Sequence, residues 1–378
     1  MSEFYQRTRR VRLKNSGTFD KKSSRKFRYN EIPRAHIGKK EKDMRTAAIR
    51  GTGSALPELE ISNQAFEAFL DTDDAWIRER TGIVTRRLAV TETTSELAIL
   101  AAKRALEDAG AAGLDVDLIL TATSSPDTIF PSVSCQVQAA VGAEHAAAFD
   151  VNAACSGFLT ALSTAWAYIR CGMAANALVI GAEVMSGLTD WTDRSTCILF
   201  GDGAGAVYLE ASETEGIRAV NLWAQGSRGD VLVYRNHLAK HPFAKNTETD
   251  CRDQNEADAG SRGGICMDGR AVYQFAVSRV PQIIGELLEQ EQVPAESVDW
   301  FFLHQANERI LASIAKRLRV PQEKFPQNVQ RTGNLSAASI PVLLDEWKKA
   351  GNGAPGDQIV LAGFGAGLTC AAALLTWK

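Results

Sequence analysis

The sequence predicts an α/β fold built from two similar halves around buried, largely parallel sheet. Three observations predict it. Short apolar runs alternate with amphipathic helical segments, and that strand–helix–strand order calls for crossovers on a covered sheet. A glycine-rich turn, Phe200-Gly201-Asp202-Gly203-Ala204-Gly205, precedes the run AVYLEA; a second, Gly363-Phe364-Gly365-Ala366-Gly367, precedes LTCAAALLTW. The two rhyme, which points to an internal repeat joined near Ser212–Gly216. Composition agrees: 378 residues, 45% hydrophobic and 23% charged, suit a globular protein with a large core.

Taken in order, TAAIRGTGSALP reads as a strand running into a Gly/Pro turn. Thr93-Thr94-Ser95-Glu96 is a capping box that opens a helix through Ala109, closed by Gly110. Leu118–Thr123 and Ala146–Val151 are short apolar runs expected as buried strands. From Cys155 to Cys171 the residues Phe158, Leu162, Trp166 and Ile169 recur at helical spacing, and Asn176–Gly181 returns as a strand. Asp299–Leu303 is a further strand, followed by a helix over Glu308–Arg319. Residues 226–264 are polar and irregular and read as a long surface excursion.

Residues 1–43 carry fourteen Lys and Arg against five Asp and Glu, whereas the remainder is acidic. So basic and apolar-poor a segment is expected to be disordered. Nucleic acid, an anionic surface or a targeting role would each suit such a tail, although its acidic residues weaken the last. A start of translation at Met44 is another reading. The expected organisation is therefore this extension, a first half over 44–215 and a second over 216–378. No apolar run is long enough to span a bilayer. Seven scattered cysteines without a CxxC pair point to reduced thiols and a cytoplasmic location.

Several motifs carry weight. FGDGAGA looks like a phosphate loop, yet a strand follows it rather than a helix and no GK[ST] is present, so a structural turn is expected. His237 and His241 have zinc-like spacing, but HLAKH lacks the metalloprotease glutamate and lies in an irregular stretch. In DVNAACSGF, Cys155 stands among small residues where a strand turns into a helix; it is either a core thiol or a nucleophile. His304 in HQAN ends a buried strand, where parallel sheets present chemistry, and Asn334 in TGNLSAAS is a turn residue or a helix cap.

In this order and at this separation, DVNAACSGF, FGDGAGA, HQAN, GNLSAAS and GFGAG resemble the β-ketoacyl-acyl carrier protein synthase III family, with DTDDAWIRERTGI a further match. The resemblance runs from about Arg45 to the C-terminus. It implies the thiolase-type fold, with two βαβ-based halves in a five-layered α-β-α-β-α arrangement, and a homodimer. It implies Cys155 as acyl-accepting nucleophile with His304 and Asn334 as partners, and coenzyme A adenine held between Trp76 and Arg194, with Thr72 and Arg80 nearby. Phe130 would reach the partner's acyl pocket, and Arg309, Lys316 and Arg317 would dock the acidic carrier protein. Acyl-CoA and malonyl-acyl carrier protein are the implied substrates, with no metal or redox cofactor and no nucleic acid partner.

The chemistry suits these residue types. A thiolate must attack a thioester, and a cysteine in the first turn of a helix feels its positive end while a histidine takes the remaining proton. The amides of Cys155 and Gly365 would hold the tetrahedral oxyanion. In the second half-reaction the malonyl thioester loses carbon dioxide, and neutral His304 Nε2 and Asn334 would stabilise the enolate. Type III polyketide synthases and synthase-like acyltransferases of specialised metabolism share the nucleophile; HQAN and FGDGAGA favour the synthase III resemblance. Two departures stand out: Ala366 in place of a frequent glycine, and Arg270 and Gln274 in the carrier-facing region.

Overall fold

The computed structural model describes residues 45–214, 216–235 and 264–378. The basic segment 1–43 and the His237/His241 pair lie outside the described residues. Two mixed sheets organise the chain. The first runs in the order β1 (Thr46–Ala55), β7 (Gly203–Ser212), β6 (Asn176–Glu183), β4 (Leu118–Ala122) and β5 (Ala147–Val151). The second runs β11 (Trp300–Leu303), β12 (Gln358–Gly365), β13 (Thr369–Thr376) and β8 (Ile217–Ala224). Two short ladders, β2 (Glu60–Ser62) with β3 (Thr85–Arg87) and β9 (Leu232–Val233) with β10 (Cys266–Met267), lie outside these sheets.

Helices complete five layers. α2 (Thr94–Ala109) and α3 (Val133–Val141) cover the outer face of the first sheet, where Ala98, Ala102 and Val137 pack on Ile119, Leu178 and Ile180. α4 (Gly157–Arg170) and α9 (Ser339–Lys349) lie between the sheets, so Phe158, Leu162, Leu343 and Trp347 share one core with Leu120, Val179, Phe302 and Leu361. α6 (Gly269–Glu291) and α7 (Glu308–Leu318) cover the second sheet through Ile284, Leu287, Ile310 and Ile314. In β4 the side chains of Leu118 and Leu120 enter the middle layer and that of Ile119 the outer one, the alternation a strand covered on both faces requires. This is the thiolase-type architecture. Three short helices, α1 (Asp74–Thr81), α5 (Arg194–Cys197) and α8 (Val329–Thr332), complete the helical set among the described residues.

The capping box forms as expected: the Thr93 hydroxyl accepts from the Glu96 amide (3.2 Å), and the Glu96 carboxylate accepts from the Thr93 amide (2.9 Å). Other expectations need correction. Each sheet is mixed, because β7 and β13 return antiparallel to β6 and β12 without a crossover. β5 is a strand but not a buried one: it sits at the sheet edge, and Phe149 is substantially exposed. The helix expected from Cys155 begins at Gly157, after a 3-10 turn. The polar excursion also has structured ends, where Leu232–Val233 pairs with Cys266–Met267. Among the described residues no helix is long and apolar enough to cross a membrane.

Candidate active site

Four chain segments converge on one cavity of about 580 Å³, lined by Cys155, His304, Asn334 and Gly365 among others. Cys155 occupies the turn Ala154–Ser156 between β5 and α4. Ala154 holds φ at 48°, a left-handed value that costs an L-residue energy and recurs at functional turns. His304 follows β11 directly, and its amide donates to the Ala362 carbonyl (2.8 Å), which continues the β11–β12 pairing up to the ring. Asn334 stands on the turn between α8 and α9. Its amide donates to the Leu199 carbonyl (2.9 Å), and its carbonyl accepts from the Gly201 amide (3.1 Å).

The two glycine-rich turns therefore act as braces. A Cβ on Gly365 would come within 2.7 Å of the Cys155 amide nitrogen, and one on Gly201 within 2.2 Å of the Thr332 carbonyl. Only glycine permits such backbone approach. The turn of the first sheet supports Asn334, and that of the second sheet lies against Cys155. The structural reading of FGDGAGA holds: buried Asp202 accepts from the amides of Ala89 (2.8 Å) and Ser186 (2.9 Å) and from the Ser186 hydroxyl (2.6 Å), locking the turn.

Burial sets the electrostatics. It pushes His304 down to about 3, so the imidazole is neutral at neutral pH. Ser339 Oγ lies 2.7 Å from Nδ1 and also accepts from the Gln305 amide (3.4 Å). With the Ser339 hydroxyl donating to Nδ1, the imidazole proton stands on Nε2. Phe364 packs edge-on against the ring, with centroids 5.2 Å apart. Asn334 Oδ1 accepts from the Ser336 amide (2.8 Å), which fixes the side chain and leaves its NH2 as the donor.

The thiol departs from expectation. Burial pushes Cys155 up to about 12; a hydrogen bond with the Ser336 hydroxyl works against that shift, and the charge of Glu183 adds to it. Cys155 stands two residues ahead of α4, and desolvation is the largest influence on it, so the resting sulfur is a thiol rather than a thiolate. Its distinction from the buried thiols Cys197 and Cys370 is access: Cys155 faces the cavity.

The mouth is basic and aromatic. Trp76, Arg80, Arg270 and Arg309 line it. The guanidiniums of Arg80 and Arg194 both lie over the Trp76 ring, at 4.3 and 4.6 Å from its centroid. Thr72 does not line the cavity, but its hydroxyl oxygen is buried without a hydrogen-bond partner among the described residues. Arg309, Lys316 and Arg317 are all exposed on α7, opposite buried Ile310, Leu311 and Ile314; of the three only Arg309 reaches the cavity. Phe130 is 85% exposed and lies away from the cavity of its own chain.

Reading the sequence passed over Ser336, Ser339 and Glu183. The two serines stand inside the quoted GNLSAAS, two and five residues after Asn334, and a carboxylate ending the apolar run NALVIGAE was a visible anomaly. Arg86 was also missed: fully buried, it lies 4.5 Å over Phe66 and donates to Asn63 Oδ1 (2.9 Å) and the Ile198 carbonyl (2.8 Å), beneath the turn that carries Asn334.

Five layers with a cysteine, a histidine and an asparagine meeting on one cavity define a thiolase-type acyl-transferring enzyme. The family model described as 3-oxoacyl-[acyl-carrier-protein] synthase III matches residues 149–226, and the model of that family's C-terminal part matches residues 288–377. The chain is 47% identical to β-ketoacyl-[acyl-carrier-protein] synthase III of Synechococcus elongatus, over 87% of this chain and 96% of the relative. It is 45% identical to that of Acaryochloris marina, over 88% and 97%. The crystal structure of 3-oxoacyl-[acyl-carrier-protein] synthase III from Aquifex aeolicus superposes with a TM-score of 0.79 at 42% identity, over 88% of this chain and all of that one. The chain belongs to the β-ketoacyl-[acyl-carrier-protein] synthase III family.

Proposed function

We propose that this enzyme condenses a short acyl-CoA primer with malonyl-acyl carrier protein, releasing carbon dioxide and giving a 3-oxoacyl-acyl carrier protein, the initiating step of type II fatty-acid synthesis. The observation that carries the reading is the meeting of Cys155, His304, Asn334 and Gly365 on one cavity. Cys155 accepts the acyl group, with its own amide and that of Gly365 turned to the oxyanion. His304, neutral and carrying its proton on Nε2, and the Asn334 amide group then donate to the enolate oxygen when the malonyl group loses carbon dioxide. Each such donor contributes about 3 kcal/mol in a transition state. Neither offers an acidic proton that would quench the carbanion. The reading calls on no metal or redox cofactor.

Trp76 with Arg194, Arg80 and Thr72 receives the adenine end of coenzyme A, and Arg309, Lys316 and Arg317 meet the acidic carrier protein. The dimer reading draws support from the open edge of β5 and from exposed Phe149, Ile129 and Phe130, which leave an apolar border beside an unpaired strand. Phe130 would then enter the partner's pocket. The division into halves at 44–215 and 216–378 is supported by one sheet lying on each side of the join. A cytoplasmic location fits the free state of the six described cysteines.

The test is acylation by acetyl-CoA followed by peptide mass spectrometry, with product formation from malonyl-carrier protein measured across a panel of primers. The adduct is expected on Cys155. An adduct on Cys135, Cys197 or Cys370 with Cys155 free would reject the assignment.

A further inference from the structure

The site as described lacks an acceptor for the thiol proton. In the proposed reaction His304 keeps its proton on Nε2 to meet the enolate, with Ser339 Oγ 2.7 Å from Nδ1. Near Cys155 stands a carboxyl group that neither half-reaction uses. Glu183 ends β6 and is completely buried. Its Oε2 accepts from the Ser125 hydroxyl (2.5 Å) and the Ser124 amide (3.0 Å), with Thr123 Oγ1 at 3.4 Å. Its Oε1 accepts from the Ser336 hydroxyl (3.0 Å), and the turn of Ser336 packs on the turn of Cys155, where the hydroxyl works to lower the thiol. Sulfur, hydroxyl and carboxyl thus form one chain. Ser336 holds φ at 49°, a left-handed value that glycine would adopt without strain, so the turn retains a hydroxyl where backbone geometry alone favours none.

We propose that Glu183, acting through Ser336, is the proton acceptor that activates Cys155. The step balances. The Cys155 S–H bond breaks and its proton passes to Ser336 Oγ, while Ser336 passes its own hydroxyl proton to Glu183 Oε1. One negative charge moves from carboxylate to sulfur, and the pocket's total charge is unchanged. The sulfur electron pair forms the new C–S bond, and coenzyme A departs as its thiolate with the pair of the broken one. When the carbanion later attacks the acyl group, Cys155 leaves as a thiolate, and the proton returns from Glu183 by the same path.

The surroundings favour this route. Burial raises Glu183, which makes it a better base than an exposed carboxylate, and among the described residues no cation pairs with it: its hydrogen-bond partners are hydroxyls and amides. The titratable groups on the elements packed against β6 include Lys103, Arg104 and Asp108 on α2, Tyr168 and Arg170 on α4, Tyr208 and Glu210 on β7 and Asp345 on α9, besides Cys155 before α4 and Asp202 before β7; Asp108 is paired with Lys348 and Asp345 with Lys349. Asp202 is occupied by Ser186 and Ala89.

The inference rests on Cys155 being the acyl acceptor, which the mass-spectrometric experiment tests separately. Its own test is the pH profile of Cys155 alkylation by iodoacetamide from pH 5.5 to 10 in the full-length enzyme, which needs no acyl chemistry. In the wild type the rate should level off once Glu183 is ionised, because the proton then moves within the pair and solvent pH no longer governs it. In Glu183→Gln it should keep rising by about tenfold per pH unit, since the thiol can lose its proton only to solvent. Ser336→Ala should keep the level region but lower it about tenfold or more, through loss of a donor to the thiolate. A Glu183→Gln profile that levels off as the wild type does would overturn the proposal, and a His304→Ala profile that then rises throughout would assign the role to His304. Should Glu183→Gln fail to fold, Ser336→Ala decides: an unchanged level region rejects the relay, and a lowered one sustains it.

Discussion

His304 is a histidine that refuses a proton. In the unfolded chain it titrates near 6.5, and burial in the fold brings it down to about 3. Between those values the unfolded chain binds a proton that the folded one excludes, so this residue removes stability as the pH falls through that window. The stability of the wild type relative to His304→Gln, measured by urea unfolding, should therefore decline from pH 7 to pH 4. An offset that is equal at both values would mean that the ring is not held neutral. A second expectation separates the half-reactions. Cys155→Ala should abolish acyl transfer and condensation yet leave some loss of carbon dioxide from malonyl-carrier protein. Asn334→Ala should still acylate while decarboxylation falls by about two to three decades. Primer transacylation and release of labelled carbon dioxide, assayed apart, read the two. If Asn334→Ala blocked acylation and decarboxylated normally, the residue would be a turn-orienting one and the enolate site would lie elsewhere.

At the scale of elements, α1 carries the most specific expectation. Asp73 caps it by accepting from the Trp76 amide (2.6 Å), which fixes the indole at the cavity mouth beneath two guanidiniums. Stacking and cation–π attraction on such a ring contribute about 1–3 kcal/mol per face. Trp76→Ala should raise the KM for acetyl-CoA by about one to two decades and barely alter the use of an acyl-pantetheine that lacks adenine. Equal losses with both primers would make Trp76 a structural residue. Local elements were legible wherever local chemistry decides them. The Thr93–Glu96 box, the Gly110 terminus, the run of β4 and the strand before His304 follow from side chains within a few residues of one another. Strand direction and edge position were not, because the antiparallel return of β7 and the outer place of β5 depend on partners distant in the chain. The same limit hid Glu183 and Ser339. Each looks like an ordinary residue at the end or start of an element until the fold brings Ser336 or His304 against it.

For the whole molecule the open question is assembly, and the edge of β5 is where to measure it. An aspartate at Phe149 would set a charge on the exposed face of that strand, where a second copy would pair. Phe149→Asp should shift a dimer towards monomer in sedimentation at micromolar concentration. An unchanged mass would remove β5 from the interface. Within one chain, the two glycine turns have a wider consequence. The turn at Gly201 holds Asn334, and the turn at Gly365 lies against Cys155, so each sheet keeps the other's reactive group in position. A change in either brace is therefore felt as a displaced group across the seam between the two sheets, so Gly201 and Gly365 bear on side chains that lie far from them in the sequence.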